Sequence, residues 1–275
     1  FMRNENNTLE WRQAAEWKST ARRREKARRR RRKVRRMRAV LLLGCILIFA
    51  GVLRISQNPI KRYAKANGIS MDEYPEDLLK LYERNKETET FVEEYPLKKD
   101  VEPEIDLSDL AGTSEIPSLL QWDQRWGYHQ YAGEVMGLSG CGPTALSMVA
   151  IYMTGDTTKT PRWVADFASQ NGYAVDGSGT AWSLMLEGAQ QIGLSSKEIP
   201  VERGRIENNL QAGNPIIALM GPGDFTSSGH FIVLTGMQDG RLKINDPNSR
   251  KHSEKTWDVN QVLEQTRAAW VYYKE

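Results

Sequence analysis

Hydrophobic and polar positions divide the chain into four stretches of different texture. Residues 39–53 run Ala-Val-Leu-Leu-Leu-Gly-Cys-Ile-Leu-Ile-Phe-Ala-Gly-Val-Leu without one polar side chain, between Arg38 and Arg54. As a helix this stretch measures about 22 Å at ~1.5 Å per residue. Snorkelling arginines at both ends must then supply the rest of a ~30 Å hydrocarbon core. Upstream, residues 1–38 show no apolar period and carry a dense run of Arg and Lys from Arg22 to Arg38. Downstream, residues 55–115 lack a sustained apolar face. Ser70-Met71-Asp72-Glu73 has the capping-box pattern, Pro75 suits a first helical turn, and Leu78, Leu79, Leu81 and Tyr82 make one short stripe. One or two small helices are predicted here, followed by helix remnants and extended linker from Lys86 to Asp109, which contains Pro96 and Pro103.

From about residue 116 helical and strand periods alternate. Residues 142–153 predict a buried helix, with Pro143 in its first turn and Gly155 past its end. Further helices are predicted over 161–170, capped by Thr160, and over 181–192, closed by Gly193. Strands then dominate, over 215–220, 230–234 and, after a turn at Gln238-Asp239-Gly240, over 241–246. A short helix over 259–265 and a last strand over 268–273 complete the order. Helices first and an antiparallel sheet second predict an α+β domain spanning 116–275.

Charge sharpens this division. The 275 residues carry a formal net charge of +3, but residues 1–38 hold 16 Lys/Arg against 4 Asp/Glu while the remainder holds 22 against 31. A surplus of +12 therefore stands before a deficit of −9, and no nucleic-acid partner is expected from so divided a molecule. The basic run beside an apolar segment predicts a signal anchor over 39–54, with 1–38 cytoplasmic and all that follows outside. A buried core helix and a cleaved signal peptide are the competing readings. The arginine run argues against the first and the 38-residue leader before the apolar run against the second. Residues 55–115, with 15 Asp/Glu against 8 Lys/Arg, are read as an acidic stalk that spaces the domain from the lipid bilayer, or else as an extension that docks on it.

Two cysteines, Cys45 and Cys141, give no disulfide framework. Cys141 stands at the predicted start of a helix, where unpaired amides and the helix dipole favour a nucleophilic thiolate. Of three histidines, His129, His230 and His252, His230 opens an apolar strand after Ser228-Gly229. Asp246 ends the next strand, and a hairpin turning at Asp239-Gly240 brings 230 and 246 to the same open end. Nucleophile, base and orienting carboxylate can thus converge. Inert packing of the cysteine and an ordinary Asp-Pro turn are the bland alternatives, and the ligand spacing of common zinc motifs is missing. No metal or cofactor is expected.

The ordered set Gln121-Trp122-Asp123 with Trp126, Ser139-Gly140-Cys141-Gly142-Pro143-Thr144-Ala145-Leu146, Gly229-His230-Phe231 and Asn245-Asp246-Pro247 resembles the papain-like cysteine peptidases of the bacteriocin-processing, double-glycine leader type, in their stand-alone Gram-positive branch. The resemblance covers about 117–273. It implies a papain-like fold, Cys141 as nucleophile, His230 as general base and acid, Asp246 as the residue that orients His230, and Gln121 as side-chain donor to the oxyanion. Twenty positions separate Gln121 from Cys141, more than in the exporter-fused leader peptidases, so Gln124 and Gln130 remain candidate donors. Trp122 and Trp126 are read as packing or cleft walls, and residues 221–229 as a mobile loop bordering the cleft. The expected function is a membrane-anchored extracellular cysteine peptidase acting on a leader peptide or other peptide. A cell-wall stem-peptide amidase and a catalytically silent binding domain are the alternatives.

Overall fold

The computed structural model describes residues 17, 26, 28–48 and 58–274. The chain divides into two units, Phe1–Arg62 and Tyr63–Glu275. In the first, residues 28–48 are helical and join the basic run to the first part of the apolar stretch. Residues 49–54 of the expected anchor lie outside the described residues, and among the described residues no helix is long and apolar enough to cross a membrane.

The second unit is built on a five-stranded antiparallel sheet. Its strands are β1 (Ser195–Ile199), β2 (Ile216–Met220), β3 (His230–Gln238), β4 (Arg241–Asn245) and β5 (Thr266–Tyr273), in the order β1-β5-β2-β3-β4. Strand β2 is buried along its whole length, because both sheet faces are covered. Leu219, Phe231, Val233, Trp270 and Tyr272 face α3 (Cys141–Thr154) and α4 (Pro161–Gln170). Their neighbours of opposite parity, among them Ala218, Ile232, Leu234 and Val271, face α5 (Arg203–Gln211) and α6 (Val259–Gln265). The period of two along each strand thus separates two cores.

The termini of these elements follow local chemistry. Helix α3 stops at Gly155, which takes φ +73° as its N–H bonds back to Ile151. Thr160 and Asp258 cap α4 and α6 through their side chains. The β3–β4 turn uses Asp239 and Gly240 at φ +50° and +72°, the left-handed pair a two-residue hairpin needs. The helix predicted over 181–192 is broken instead, into a 3-10 turn at Trp182–Met185 and a short helix at Glu187–Gln191. Strand β1 and helix α5 answer to no predicted element.

The pairing of β3 with β4 contains a bulge. Leu234 stands opposite Ile244 and Gly236 opposite Lys243, so Thr235 has no partner. Beyond it Val233 faces Asn245, and Asp246 falls one step further, on the face shared by Ile232 and His230. Had the register set at the turn continued without a bulge, Asp246 would stand opposite Val233, on the α3 face.

Residues 63–115 pack within this same unit, as the docking alternative expects. The capping box at Ser70–Glu73 is present, and Pro75 precedes α1 (Glu76–Arg84), whose Leu78, Leu81 and Tyr82 are buried. Helix α2 (Glu89–Lys98) forms where linker was expected and contains Pro96. Its Phe91, 2% exposed, stacks on Tyr128 with centroids 4.5 Å apart. Phe91 fills space left by two glycines: a Cβ on Gly127 or Gly137 would come within 2.7 or 2.4 Å of its ring. Phe91→Ala is therefore expected to cost about 3–5 kcal/mol and to lower Tm by on the order of 10 °C. An unchanged melting curve would show that the extension is not part of the cooperative unit.

Candidate active site

Cys141 is the first residue of α3, after Gly140, and its helix start is pressed against the hairpin of Ala174–Val175 and Gly179–Thr180. A Cβ on Gly142 would lie 2.4 Å from the Thr180 hydroxyl, so only glycine permits this approach. Both cysteines are free thiols, with Cys141 half-buried. His230 opens β3 opposite Met220 and is buried, and Asp246, 1% exposed, lies just past β4. The hairpin brings the two together as the sequence leads one to expect: His230 Nε2 lies 2.6 Å from Asp246 Oδ1. The imidazole also hydrogen-bonds the Cys141 thiol, and Nδ1 is the nitrogen left for that contact.

The charges of these groups are mutually set. Burial pushes the Cys141 thiol up, but the hydrogen bond and charge of His230, with backbone N–H donors from Phe231 and Gly142, bring it below the ordinary thiol value. Burial opposes charge on His230, yet the Asp246 carboxylate and the thiol raise it well above an ordinary histidine. Asp246, likewise opposed by burial, is held far below the carboxylate range by His230, His252 and the Asn248 N–H. These shifts favour a thiolate beside an imidazolium, backed by a carboxylate.

His252 is the functional neighbour that sequence reading missed. Its Nδ1 lies 2.7 Å from the second oxygen of Asp246, and its ring packs edge-on against Phe225 and Trp257. Ser249 caps the short helix Arg250–Ser253 by accepting from the His252 N–H. His129, the third histidine, pairs with Asp166 at 2.7 Å, away from Cys141. Among the described residues no group of three His, Cys, Asp or Glu side chains could hold a metal ion.

Of the three glutamines considered as oxyanion donors, Gln121 alone lines the Cys141 cavity. It is buried, and its Nε2 donates to the carbonyls of Gly137 at 2.9 Å and Leu138 at 3.3 Å. Gln124 instead joins Lys98 and Glu94, and both Gln124 and Gln130 line a separate cavity. Trp122 and Trp126 are packing residues whose indole N–H groups bond the carbonyls of Asn248 and Leu120.

Two cavities, of about 750 and 440 Å³, meet at Cys141 and His230. The smaller is lined by Gly177–Thr180 and the half-exposed Trp182. The larger is lined by residues 223–229 and by α1 with the turn after it. An extended peptide can lie across both. The loop expected to be mobile is tied down: Asp224 accepts from Gln261 and Gln265, and Phe225 is buried against Trp257 with centroids 4.5 Å apart.

A family model described as the Peptidase C39 like family matches residues 113–275. No curated protein matches the chain. Among solved structures, the peptidase domain of Streptococcus ComA, a bifunctional ABC transporter involved in quorum sensing, is similar at 19% identity and a TM-score of 0.39, covering 50% of this chain and 93% of that one. A protein described as a C39-like peptidase from Bacillus anthracis is similar at 17% identity and a TM-score of 0.35, covering 63% and 99%.

Proposed function

The chain belongs to the Peptidase C39 like family and is a cysteine peptidase, and from that premise we propose that Cys141 is its nucleophile, His230 its general base and acid, and Asp246 the carboxylate that orients His230. The observation that carries this is one line of contacts: a thiol at a helix start, hydrogen-bonded to an imidazole whose other nitrogen is fixed 2.6 Å from a buried carboxylate. The thiolate attacks the scissile carbonyl, forming a C–S bond and an oxyanion. The Cys141 N–H at the start of α3, with Gln121 Nε2 released from its longer contact to Leu138, receives that charge. The imidazolium gives its Nδ1 proton to the leaving amine as the C–N bond breaks, leaving a thioester. His230 then takes a proton from water, the hydroxide adds to the thioester, and the C–S bond breaks to return the thiolate.

The substrate in this reading is a peptide, such as a leader peptide, which reaches the enzyme outside the cell. Residues 39–54 anchor the chain in the membrane of a Gram-positive cell with the basic tail inside. Support for this comes from the +12 surplus before the apolar stretch and its sign reversal after it.

One labelling experiment tests both parts. A membrane-impermeant alkylating reagent is expected to modify Cys141 on intact cells, and in purified protein the rate of alkylation should hold up as pH falls below about 8.5, the ordinary thiol value. The sign follows from the lowered thiol and the raised imidazole: the thiolate persists until it is protonated below its own depressed value. An inflection at the ordinary thiol value would remove the ion pair, and labelling of Cys141 only after lysis would overturn the outward location.

A further inference from the structure

The family match begins at residue 113, yet one wall of the larger cavity at the thiol comes from residues 77–87, upstream of it. This wall is fixed to the catalytic machinery. Asn85 donates to the Asn248 carbonyl at 2.5 Å, and Glu87 accepts from the Ser249 hydroxyl at 2.8 Å and the Arg250 N–H at 3.0 Å. The same turn closes on Asp246, through Asn248 N–H to its carboxylate and Ser249 N–H to its carbonyl. Two hydrogen-bonded steps therefore separate the extension from the carboxylate that holds His230.

The charges that this wall presents are sorted. Lys80 is occupied by Glu76 and Asp77 at 2.9 and 3.2 Å. Arg84 is exposed at the cavity and makes no ion pair among the described residues. Lys86, also exposed, lies 3.7 Å over the Tyr82 ring and makes no ion pair among the described residues. On the opposite bank Asp224 makes no ion pair among the described residues; it accepts from two glutamine amides, with Lys255 and His252 farther off.

We propose that residues 76–87 are the specificity element of this peptidase, in which Arg84 and Lys86 read acidic side chains of the substrate on one side of the scissile bond. The inference rests on Cys141 as the nucleophile. Because the wall stands outside the matched domain, it gives this chain a selection of its own on a shared catalytic centre. A peptide crossing from the smaller cavity past the thiol has to run between Arg84 and Lys86 on one bank and the 223–229 loop on the other.

The test compares full-length wild type with Arg84→Glu/Lys86→Glu and Cys141→Ala on a proteome-derived peptide library, reading cleavage sites by mass spectrometry. Reversing two partly solvated charges is expected to shift the relative kcat/KM of acidic over basic residues by about five- to tenfold toward basic, at positions on one side of the cut only. Selectivity on the other side keeps the wild-type profile. Superposable profiles, a uniform loss across all peptides or an equal shift on both sides would each overturn the proposal. Cleavage that persists in Cys141→Ala would instead overturn the nucleophile assignment beneath it, so the two failures are distinguishable.

Discussion

Cys141→Ala is expected to fold with the wild-type melting temperature and to lose peptide hydrolysis by about 10⁴-fold or more in kcat. The fold is indifferent because Cys141 is half-buried at the edge of its core, and Gly140, Pro143 and Gly155 fix the helix without it. The chemistry has no substitute because no second cysteine is described in the catalytic unit and the sulfur alone receives the His230 contact. Steady-state hydrolysis of a peptide mixture, with a thermal melt on the same sample, decides the matter. Wild-type turnover in this variant would mean that another group attacks the carbonyl. An inactive wild type that still binds peptide would favour the silent binding domain.

Asp246→Ala should act on both rate and stability. Its carboxylate holds His230 on one oxygen and His252 on the other, so alanine leaves two imidazoles without an acceptor. We expect a fall in kcat of about 10² to 10⁴ and a loss of about 3–5 kcal/mol, as for removal of one partner from a buried pair. Asp246→Asn keeps an oxygen for His230 and should recover about tenfold of the rate, which separates geometry from charge. The stability loss has a definite pH window. Asp246 is depressed in the fold, so its contribution is present above about pH 4 and fades as pH falls. His230 is raised, so its contribution is complete below about pH 6.5 and fades as pH rises through its folded value. The gap in Tm between wild type and Asp246→Ala should therefore be widest between about pH 4 and 6.5. A gap independent of pH would refute the charged pair.

Local chemistry makes much of this site legible in the sequence. Pro143 and Gly155 announce the helix that carries Cys141, and the Asp239-Gly240 turn announces the hairpin that joins His230 to Asp246. Other parts were silent for identifiable reasons. Strand β1 is a polar edge strand with only Ile199 buried, and α5 buries only Ile206 and Leu210, too few to write a period. His252 reaches Asp246 across an irregular turn, although its being one of three histidines, six residues from the carboxylate, was a usable signal. The docking of residues 63–115 was hidden because Phe91 finds its space at Gly127 and Gly137, glycines that carry no local mark of the ring they receive. Gln121 reached the cavity as the resemblance implies, but spends its amide on two backbone carbonyls.

The unpaired Thr235 has a consequence for how this peptidase can change over evolutionary time. Deleting Thr235 would make Leu234 and Gly236 neighbours, and their partners Ile244 and Lys243 are already adjacent, so the ladder would become regular with Asp246 still one step beyond Asn245. The bulge is thus a place where this hairpin can gain or lose one residue without parting the carboxylate from the imidazole. One residue added elsewhere within the paired strands turns the following side chains to the other face, so changes of length in functioning descendants should gather at the bulge and at the Asp239-Gly240 turn.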